Sequence, residues 1–319
     1  MKVLEPNLEN LKFAGEKIKE GKLVAIPTET VYGLGADAFN TEAVAKIFEA
    51  KKRPFFDPLI VHIADRDMLD KIAFVEGEKA EKMIKRFWPG PVTMIFKKKE
   101  CVPDIITSGL DSVAVRMPSN KYALEIIKNS TGAVAAPSAN PFGYLSPTTA
   151  EHVADQLGDS VDYVVDGGKC IVGVESTIID MTKEIPMVLR PGGLDPALIE
   201  EEIGKIEIFN RSVATPTAPG QLPSHYAPRV PLFIVEDFES AKYVKNKAAL
   251  LLKSSDTDIE FDKIEILSER GNLVEAASNL FESLHRLDKS GVDVIYTKRV
   301  SDMGIGKAIN DRLYKASKK

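Results

Sequence analysis

The sequence predicts an α/β fold divided into two domains. Its 319 residues, of which 44% are hydrophobic, are enough for two cores of ordinary size. Short apolar runs typical of strands alternate with apolar residues spaced for one face of a helix. Between Arg211 and Arg229 this pattern stops in a stretch that contains four prolines. We therefore expect a first domain at residues 1–210, a linker or flap at 211–230 and a second domain at 231–319.

The first domain begins with a helix, a strand and a second helix. Asn7 caps the first helix, which ends before a strand at residues 22–27. Asn40 or Thr41 caps the second helix, which ends before Pro54 because proline disfavours helical backbone at the preceding residue. Further strands are predicted at 92–97, 112–117, 132–137, 161–166, 174–180 and 186–190, and further helices at 77–87, 120–129 and 148–158.

The second domain repeats this alternation on a smaller scale. Its segments are predicted, in order, as strand "PLFIVED", helix "SAKYVKNK", strand "AALLLK", a segment around "DKIEILS" without an assigned type, a helix over 272–287, strand "VDVIYTK" and a terminal helix. Strands that alternate with helices indicate a parallel sheet. We expect a small Rossmann-like parallel α/β domain.

Composition and charge exclude several classes of protein. The net charge of −5 and the isoelectric point near 5.6 weigh against nucleic acid as the main ligand. No stretch of about twenty residues is apolar enough to span a bilayer. Two cysteines, Cys101 and Cys170, are too few for a disulfide framework and lack metal-ligand spacing. We expect a cytoplasmic protein without a membrane partner, and we predict no metal ligands among its side chains.

The first candidate site follows the strand at 22–27. The segment "PTETVYGLG" places two threonines, a glutamate and two glycines at the end of that strand, where open α/β folds form ligand sites. An ordinary strand-to-helix turn is the alternative. As a ligand site, the segment would let its glycines bring the backbone close to the ligand and would offer the hydroxyl of Thr30.

Lys51 and Arg53 form a second candidate. They lie where the second helix ends at Pro54, and we expect both cations to project from a loop near "PTETVYGLG". Two cations on one constrained loop suit the oxygens of a polyphosphate. The alternative is that they only compensate the helix dipole and face water.

An arginine and a histidine lie on predicted strand faces. In "SVAVRM", alternation places Arg116 on the face opposite Val113 and Val115. Its guanidinium either forms a structural ion pair or binds a substrate carboxylate. In "PLIVHI", His62 shares a face with Ile60 and is either a core residue or a site residue.

Three further segments supply hydroxyls, an amide and an arginine. The loop "AAPSANPFGYLSP" presents Ser138, Asn140 and Ser146, "GVESTI" supplies Ser176, and "VLRPGG" supplies Arg190. Such groups can hold phosphates or ribose, although each segment taken alone is as readily structural. The sequence has no HExxH, GxSxG or Walker motif, so we expect no covalent nucleophile.

Taken together, these segments resemble threonylcarbamoyl-AMP synthase of the long, two-domain kind, whose first domain is YrdC-like. The resemblance covers essentially the whole chain. Its carriers, in chain order, are "PTETVYGLG", "KKR", "PLIVHI", "WPGPVT", "SVAVRMP", "SAN", "GVESTI", "LRPG" and "PGQLPSHYAP". It implies a YrdC-like twisted, open α/β domain with a concave basic face, followed by the small C-terminal domain.

The resemblance implies an enzyme, a nucleotidyltransferase that converts L-threonine, bicarbonate and ATP to threonylcarbamoyl-AMP and pyrophosphate. The product would pass to a complex that transfers the threonylcarbamoyl group to an adenosine of tRNA. The carbamate of threonine would attack the α-phosphorus of ATP without a covalent enzyme intermediate, and Mg²⁺ would accompany ATP as the cofactor. Catalysis would then rest mainly on positioning and on neutralising negative charge.

The resemblance also implies roles for individual residues. Lys51 and Arg53 would be catalytic. The residues implied for L-threonine are Thr30, His62, Arg116 on the carboxylate, and Ser176. The residues implied for ATP are Lys51, Arg53, Asp57, Ser112, Ser138, Asn140, Ser146, Arg190 and Tyr226. Asp57 stands where the family more often has asparagine, so that a carboxylate would meet the nucleotide there.

Two other functions stay open at this point. The first is a nucleic-acid-binding module, since a basic concavity suits RNA; salt-sensitive RNA binding without ATP consumption would favour it. Weak RNA binding also fits the implied enzyme, whose product goes to tRNA. The second is a carbamoyltransferase-type enzyme with another acceptor, which carbamoyl phosphate as a substrate would reveal. The C-terminal domain has no phosphate signature, and we expect it to act as a scaffold or gate through which the linker closes over the nucleotide.

Overall fold

The computed structural model describes residues 1–209, 218–222 and 224–318. It confirms the predicted α/β class, because the strands in these ranges form one mixed sheet and one separate parallel sheet, both flanked by helices. The predicted linker at 211–230 falls partly outside the described residues. None of the helices in the described ranges has both the length and the apolarity needed to cross a membrane.

Helices and strands alternate along the described chain. The helices are α1 (Leu8–Lys19), α2 (Thr41–Lys51), α3 (Arg66–Ile72), α4 (Glu78–Phe87), α5 (Asp104–Thr107), α6 (Lys121–Asn129), α7 (Ala150–Leu157), α8 (Pro196–Ile203), α9 (Leu273–Asp288) and α10 (Gly306–Ala316). The strands are β1 (Lys2–Leu4), β2 (Val24–Ile26), β3 (Gly33–Asp37), β4 (Ile60–Ile63), β5 (Ala73–Phe74), β6 (Val92–Lys98), β7 (Ser112–Arg116), β8 (Ala133–Ala135), β9 (Tyr163–Val165), β10 (Thr177–Asp180), β11 (Met187–Arg190), β12 (Glu207–Ile208), β13 (Leu232–Ile234), β14 (Lys247–Leu251), β15 (Lys263–Ile266) and β16 (Val294–Thr297). The caps predicted for the first two helices are confirmed, since the side chains of Asn7 and Asn40 accept hydrogen bonds from the backbone of α1 and α2.

One predicted helix is wrong. The segment "SAKYVKNK" forms only a short 3-10 turn at Glu239–Ala241, and β14 begins at Lys247. Asn246 has a left-handed backbone conformation with φ of 51°, which an α-helix cannot continue through. Fewer than two helical turns are then left between the 3-10 turn and β14, too few to offset the cost of starting a helix.

The larger sheet is mixed and, in the part of the chain that the structure describes, has twelve strands. Its order is β1-β9-β2-β3-β8-β4-β7-β6-β10-β11-β12, with β5 paired to β6. Because β3 runs antiparallel to β2, the segment "PTETVYGLG" joins two adjacent strands and not a strand to a helix. The parallel register of β4 and β7 places His62 beside Arg116.

Core packing confirms the alternation predicted for β4 and β7. Val61, Val113 and Val115 belong to the largest hydrophobic core of this sheet. Ile60 and Ala114 pack in a different cluster. Since successive side chains of a strand point to opposite faces, His62 and Arg116 lie on the same face as Ile60 and Ala114.

The smaller sheet confirms the predicted parallel C-terminal domain. Its order is β13-β16-β14-β15, and all pairs are parallel. The core between this sheet and its helices includes Leu280 of α9 and Ile309 of α10, and it extends to Val31 and Leu145 of the first domain. The two domains therefore meet in a shared apolar cluster next to the loops that follow β2 and β8.

Candidate functional site

One cavity gathers most of the predicted site residues. It lies where β4, β7 and β11 end, next to the loops that follow β2 and β8, and its empty space of about 550 Å³ includes a part that is open to solvent. The predicted residues that line it are Thr30, Arg53, His62, Arg116, Ser138, Ser176, Arg190 and Tyr226. Lining residues that the sequence analysis did not single out include Thr28, Glu175, Gly220 and His225. The sheet thus assembles, at one edge, side chains that are far apart in sequence.

Arg116 is held in place by the loop after β2. Its Nη2 lies 2.7 Å from Oε1 of Glu29, and its Nη1 donates to Oγ1 of Thr30 at 2.7 Å. Burial of Glu29 raises the pKa of its carboxyl group, but the charge of Arg116 more than offsets this, so that the pKa is below its ordinary value. Arg116 therefore forms a buried ion pair and also lines the cavity, which combines the two alternatives that the sequence left open.

The glycines of "PTETVYGLG" serve the sheet as much as the cavity. A Cβ atom on Gly35 would lie 3.0 Å from the carbonyl oxygen of Val24 and 3.1 Å from Cγ1 of Val134, tighter than ordinary van der Waals contacts. Gly33 lines the cavity. Of the two glycines, Gly33 faces the cavity, whereas Gly35 packs against neighbouring strands; their approach to a ligand stays a prediction.

His62 is a neutral side chain in the wall of the cavity. Burial, aided by the positive charge of Arg116, lowers its pKa to about 3. Its Nδ1 has no hydrogen-bond partner among the described residues. The imidazole therefore lines the cavity with an unpaired, buried ring nitrogen and without adding a charge beside Arg116.

This burial predicts that the stability of the fold depends on pH through His62. An unfolded histidine binds a proton below about pH 6.5, whereas folded His62 does so only near pH 3. The unfolded state then binds more protons, and the free energy of unfolding falls as pH decreases from 6.5 towards 3. We expect the loss between pH 7.5 and pH 5.0 to be about 2 kcal/mol smaller in His62→Gln than in the wild type. Denaturant unfolding at the two pH values measures this, and equal losses in the two proteins would refute it.

Arg53 and Lys51 do not project from a loop as predicted, because both are buried. Nη2 of Arg53 lies 2.9 Å from Oδ2 of Asp57 and donates to the carbonyl oxygen of Pro58 at 2.8 Å. Lys52, at the end of α2, has a left-handed conformation with φ of 51°, which turns the chain inward after the helix. Arg53 still lines the cavity, so one of the two cations faces it directly.

Lys51 lies behind the wall of the cavity. Its Nζ donates to the carbonyl oxygens of Ser138, at 2.6 Å, and Asn140. Burial and the charge of Arg53 lower the pKa of Lys51 well below its ordinary value. In this structure Lys51 fixes the loop that presents Ser138 to the cavity, and its predicted contact with phosphate stays a prediction.

Arg190, at the end of β11, and Ser176, just before β10, line the cavity together. Arg190 donates to the carbonyl oxygen of Ser176 from Nη2 at 2.9 Å, and the hydroxyl of Ser176 lies 2.7 Å from that of Thr93. The turn after Arg190 packs on this segment at Gly192, where a Cβ atom would lie 2.3 to 2.4 Å from the backbone of residues 175–177. Only glycine allows this contact, which brings the guanidinium of Arg190 against Ser176.

Ser146 and Asn140 stabilise the wall from behind. The hydroxyl of Ser146 donates to Oε1 of Glu175. The side-chain amide of Asn140 donates to the carbonyl oxygens of Pro141, at 3.0 Å, and Tyr144, at 2.9 Å, so that it shapes its own loop. Their predicted contacts with ATP stay predictions.

Ser112 and Asp57, like Lys51, Asn140 and Ser146, lie outside the cavity lining. Ser112 begins β7 opposite Lys97 of β6, about 13 Å of strand from Arg116 at the other end. Asp57 is buried against Arg53, and burial raises the pKa of its carboxyl group. The motif positions of these residues do not reveal that Ser112 lies at the end of β7 that is far from the cavity. They also do not reveal that Asp57 is already paired with Arg53.

Part of the predicted linker returns to the cavity. Tyr226 is buried with a positive φ of 60°, and its hydroxyl group has no partner among the described residues. Burial raises its pKa to about 12. His225 beside it also lines the cavity, and burial together with the charges of Arg53 and Lys51 lowers its pKa well below the ordinary value. The sequence analysis did not single out His225, although it stands next to Tyr226 in "SHYAP".

The carboxylates nearest the cavity form ion pairs with arginines. Glu29 pairs with Arg116, Asp57 with Arg53, and Glu175 with Arg312 at 2.7 Å. In the described ranges, no three His, Cys, Asp or Glu side chains are grouped so that they could hold a metal ion. Among the described residues, these three carboxylates are therefore already paired with cations and are not free to ligate a divalent cation.

Family models match both parts of the chain. The model of the Sua5, YciO and YrdC family, described as telomere recombination, matches residues 16–192. A second model, described as the C-terminal domain of threonylcarbamoyl-AMP synthase, matches residues 184–318. Together the two models cover nearly the whole chain.

Curated relatives and a solved structure match over almost the full length. Threonylcarbamoyl-AMP synthase of Pyrococcus abyssi is 44% identical, with 96% of this chain and 94% of the relative covered. The enzyme of Bacillus subtilis is 40% identical, with 98% and 94% covered. The crystal structure of P. abyssi Sua5 complexed with L-threonine superimposes with a TM-score of 0.94 at 41% identity, covering 99% of this chain and 98% of that one.

Proposed function

The chain belongs to the threonylcarbamoyl-AMP synthase family, and from this premise we propose that it makes threonylcarbamoyl-AMP and pyrophosphate from L-threonine, bicarbonate and ATP. As a member of that family it is a nucleotidyltransferase-type enzyme. The observation that supports these substrates is that Arg53, Arg116 and Arg190 line one cavity. Neutral His62 lines the same cavity. Such a cavity suits two anionic substrates, a carboxylate and a triphosphate.

We assign L-threonine to the side of the cavity formed by β4 and β7. Arg116 would bind the carboxylate of the substrate, because its guanidinium is fixed by Glu29 and Thr30 before the substrate arrives. Neutral His62 and the hydroxyl of Ser176 would provide hydrogen bonds without extra charge. The P. abyssi structure complexed with L-threonine supports a threonine site in a chain of this fold.

We assign ATP to the side formed by Arg53, Ser138 and Arg190. Arg53 and Arg190 lie at the wall as cations for phosphate oxygens, and Tyr226 closes the same side from the linker. Lys51 supports this side through its bonds to the loop at residues 138–140. ATP enters as its magnesium complex; since the nearby carboxylates are paired with arginines, we assign the Mg²⁺ to phosphate oxygens and water.

The reaction needs no nucleophile from the protein. The amine of threonine condenses with bicarbonate to a carbamate and water. A carbamate oxygen then forms a bond to the α-phosphorus, the bond from that phosphorus to the bridging oxygen breaks, and pyrophosphate leaves with the electron pair. The residues of this chain would hold the two anions together and neutralise the charge that develops on the phosphates, which is the main source of rate in such transfers.

The proposed product is a mixed anhydride that reacts with water, so it has to be used soon after it forms. We propose that it is passed to a tRNA threonylcarbamoyl-transferring complex in the cytoplasm. Weak binding of RNA by this acidic chain would help that transfer but is not required for the chemistry.

Release of pyrophosphate tests this function. With ATP and Mg²⁺ present, we expect release only when both L-threonine and bicarbonate are added, and carbamoyl phosphate should not replace bicarbonate. Release that does not depend on threonine would contradict the proposal. Release supported by carbamoyl phosphate would favour the carbamoyltransferase hypothesis, and salt-sensitive RNA binding without any release would favour the nucleic-acid hypothesis.

A further inference from the structure

We propose that Arg312, from α10 of the C-terminal domain, is a positioning residue for the ATP side of the cavity. The inference rests on the function proposed above and gives the C-terminal domain a specific part in it. Arg312 would act through Glu175, a residue of the first domain that lines the cavity.

Arg312 crosses from one domain to the other and is completely buried there. Its Nε donates to Oε2 of Glu175 at 2.7 Å, and its Nη1 donates to the carbonyl oxygen of Pro191 at 2.8 Å. Both acceptors belong to the first domain: Pro191 follows Arg190 in the chain, and Glu175 precedes Ser176, whose carbonyl oxygen accepts a hydrogen bond from Arg190. The guanidinium also lies 5.0 Å from the ring centre of Tyr226.

Glu175 connects Arg312 to the cavity. Its second oxygen, Oε1, accepts the hydroxyl of Ser146, so both carboxylate oxygens are used. Burial raises the pKa of Glu175, but the charges of Arg312 and then Arg190 outweigh it, so that the pKa is below its ordinary value. Glu175 is thus an ionised carboxylate in the wall that we assign to ATP.

Without Arg312, this carboxylate would need another counter-ion. Arg190 is the next cation whose charge acts on Glu175. Glu175 would then draw Arg190 away from the triphosphate and would itself repel the phosphates. Asp311, which also contacts Arg312, has a second cation in Lys315 at 2.6 Å and does not compete. The pair of Glu29 and Arg116 on the threonine side is untouched.

Steady-state kinetics and equilibrium binding test this role. In Arg312→Met, we expect the KM for ATP and the Kd of a non-hydrolysable ATP analogue to rise about tenfold or more, with kcat and the Kd of L-threonine nearly unchanged. The control is Arg286→Met, which removes an arginine of α9 that is half exposed and pairs with Glu265; it should leave all four constants unchanged.

A second substitution separates positioning from general stability. Adding Glu175→Gln to Arg312→Met removes the carboxylate that would compete for Arg190, so we expect the double variant to regain most of the ATP affinity. Loss of packing alone would not be relieved in this way. If Arg312→Met does not fold, Arg312→Gln replaces it. We expect the same rise in the KM for ATP and in the Kd of the ATP analogue, and the same recovery when Glu175→Gln is added.

Unchanged ATP constants in the folded variant, or a rise that Glu175→Gln does not relieve, would overturn the proposal. A fall of kcat of the same size, with the KM for ATP unchanged, would overturn it as well. If the wild type makes no adenylate, the proposed function has failed, whereas the Kd of the ATP analogue still decides the role of Arg312.

Discussion

Replacing Arg53 with methionine is expected to lower the rate of adenylate formation about 10³-fold, as does removal of an arginine that neutralises charge in phosphoryl transfer. The reason is that Arg53 is one of two cations on the wall that we assign to the triphosphate. Initial rates of pyrophosphate release at saturating threonine and bicarbonate measure the effect.

The same replacement should also destabilise the fold. It leaves Asp57 as a completely buried carboxylate without its partner, which costs about 3–5 kcal/mol. Asp57→Asn in the same chain removes that charge, so we expect the double variant to regain most of the stability and none of the activity. A double variant as active as the wild type would show that Arg53 serves only the ion pair.

Replacing Arg116 with methionine should abolish most threonine binding. The side chain supplies two charge-assisted hydrogen bonds to the carboxylate in our assignment, so that the Kd of L-threonine should rise about 100-fold. Glu29→Gln is added in the same chain, because Glu29 would otherwise be a buried carboxylate without a counter-ion. Calorimetry with L-threonine measures the Kd, and the Kd of an ATP analogue should be nearly unchanged.

The control for this variant is Arg66→Met. Arg66 is a partly exposed arginine of α3 that pairs with Glu81 and lies outside the cavity lining. It should leave the Kd of L-threonine at the wild-type value. A Kd in the Arg116 variant equal to that of the control would place the carboxylate elsewhere.

The sequence predicted best where the signal is local. Alternation in "SVAVRM" and "PLIVHI" was enough to place Arg116 on the face opposite Val113 and Val115, and His62 on the face of Ile60, because the side chains of a strand alternate whatever the strand pairs with. That the two side chains share one face of the sheet follows from the pairing of β4 with β7, which the structure shows. The loops predicted after the strands at 22–27 and 132–137 do lie at the edge of the sheet, and Thr30 and Ser138 line the same cavity. These positions follow from strand ends, which short patterns of residues reveal.

The sequence could not predict how the charges are paired. Lys51 is buried because carbonyl oxygens almost ninety positions away accept its hydrogen bonds. Arg312 meets Glu175 across 137 positions and across the boundary between the domains. Such contacts depend on tertiary packing, which no local pattern contains. The same limit applies to "SAKYVKNK", where the start of β14 leaves too little chain for the predicted helix.

The most direct test of the account is the mass of the product formed from ¹³C-bicarbonate, L-threonine and ATP by the wild-type protein. We expect a threonylcarbamoyl adenylate that is heavier by one mass unit than the product from ordinary bicarbonate, formed about 10³-fold more slowly by the Arg53→Met, Asp57→Asn double variant. An adenylate without the label would contradict the account, since it would show that the activated carboxyl group does not come from bicarbonate. Folded wild-type protein that forms no adenylate would contradict it as well.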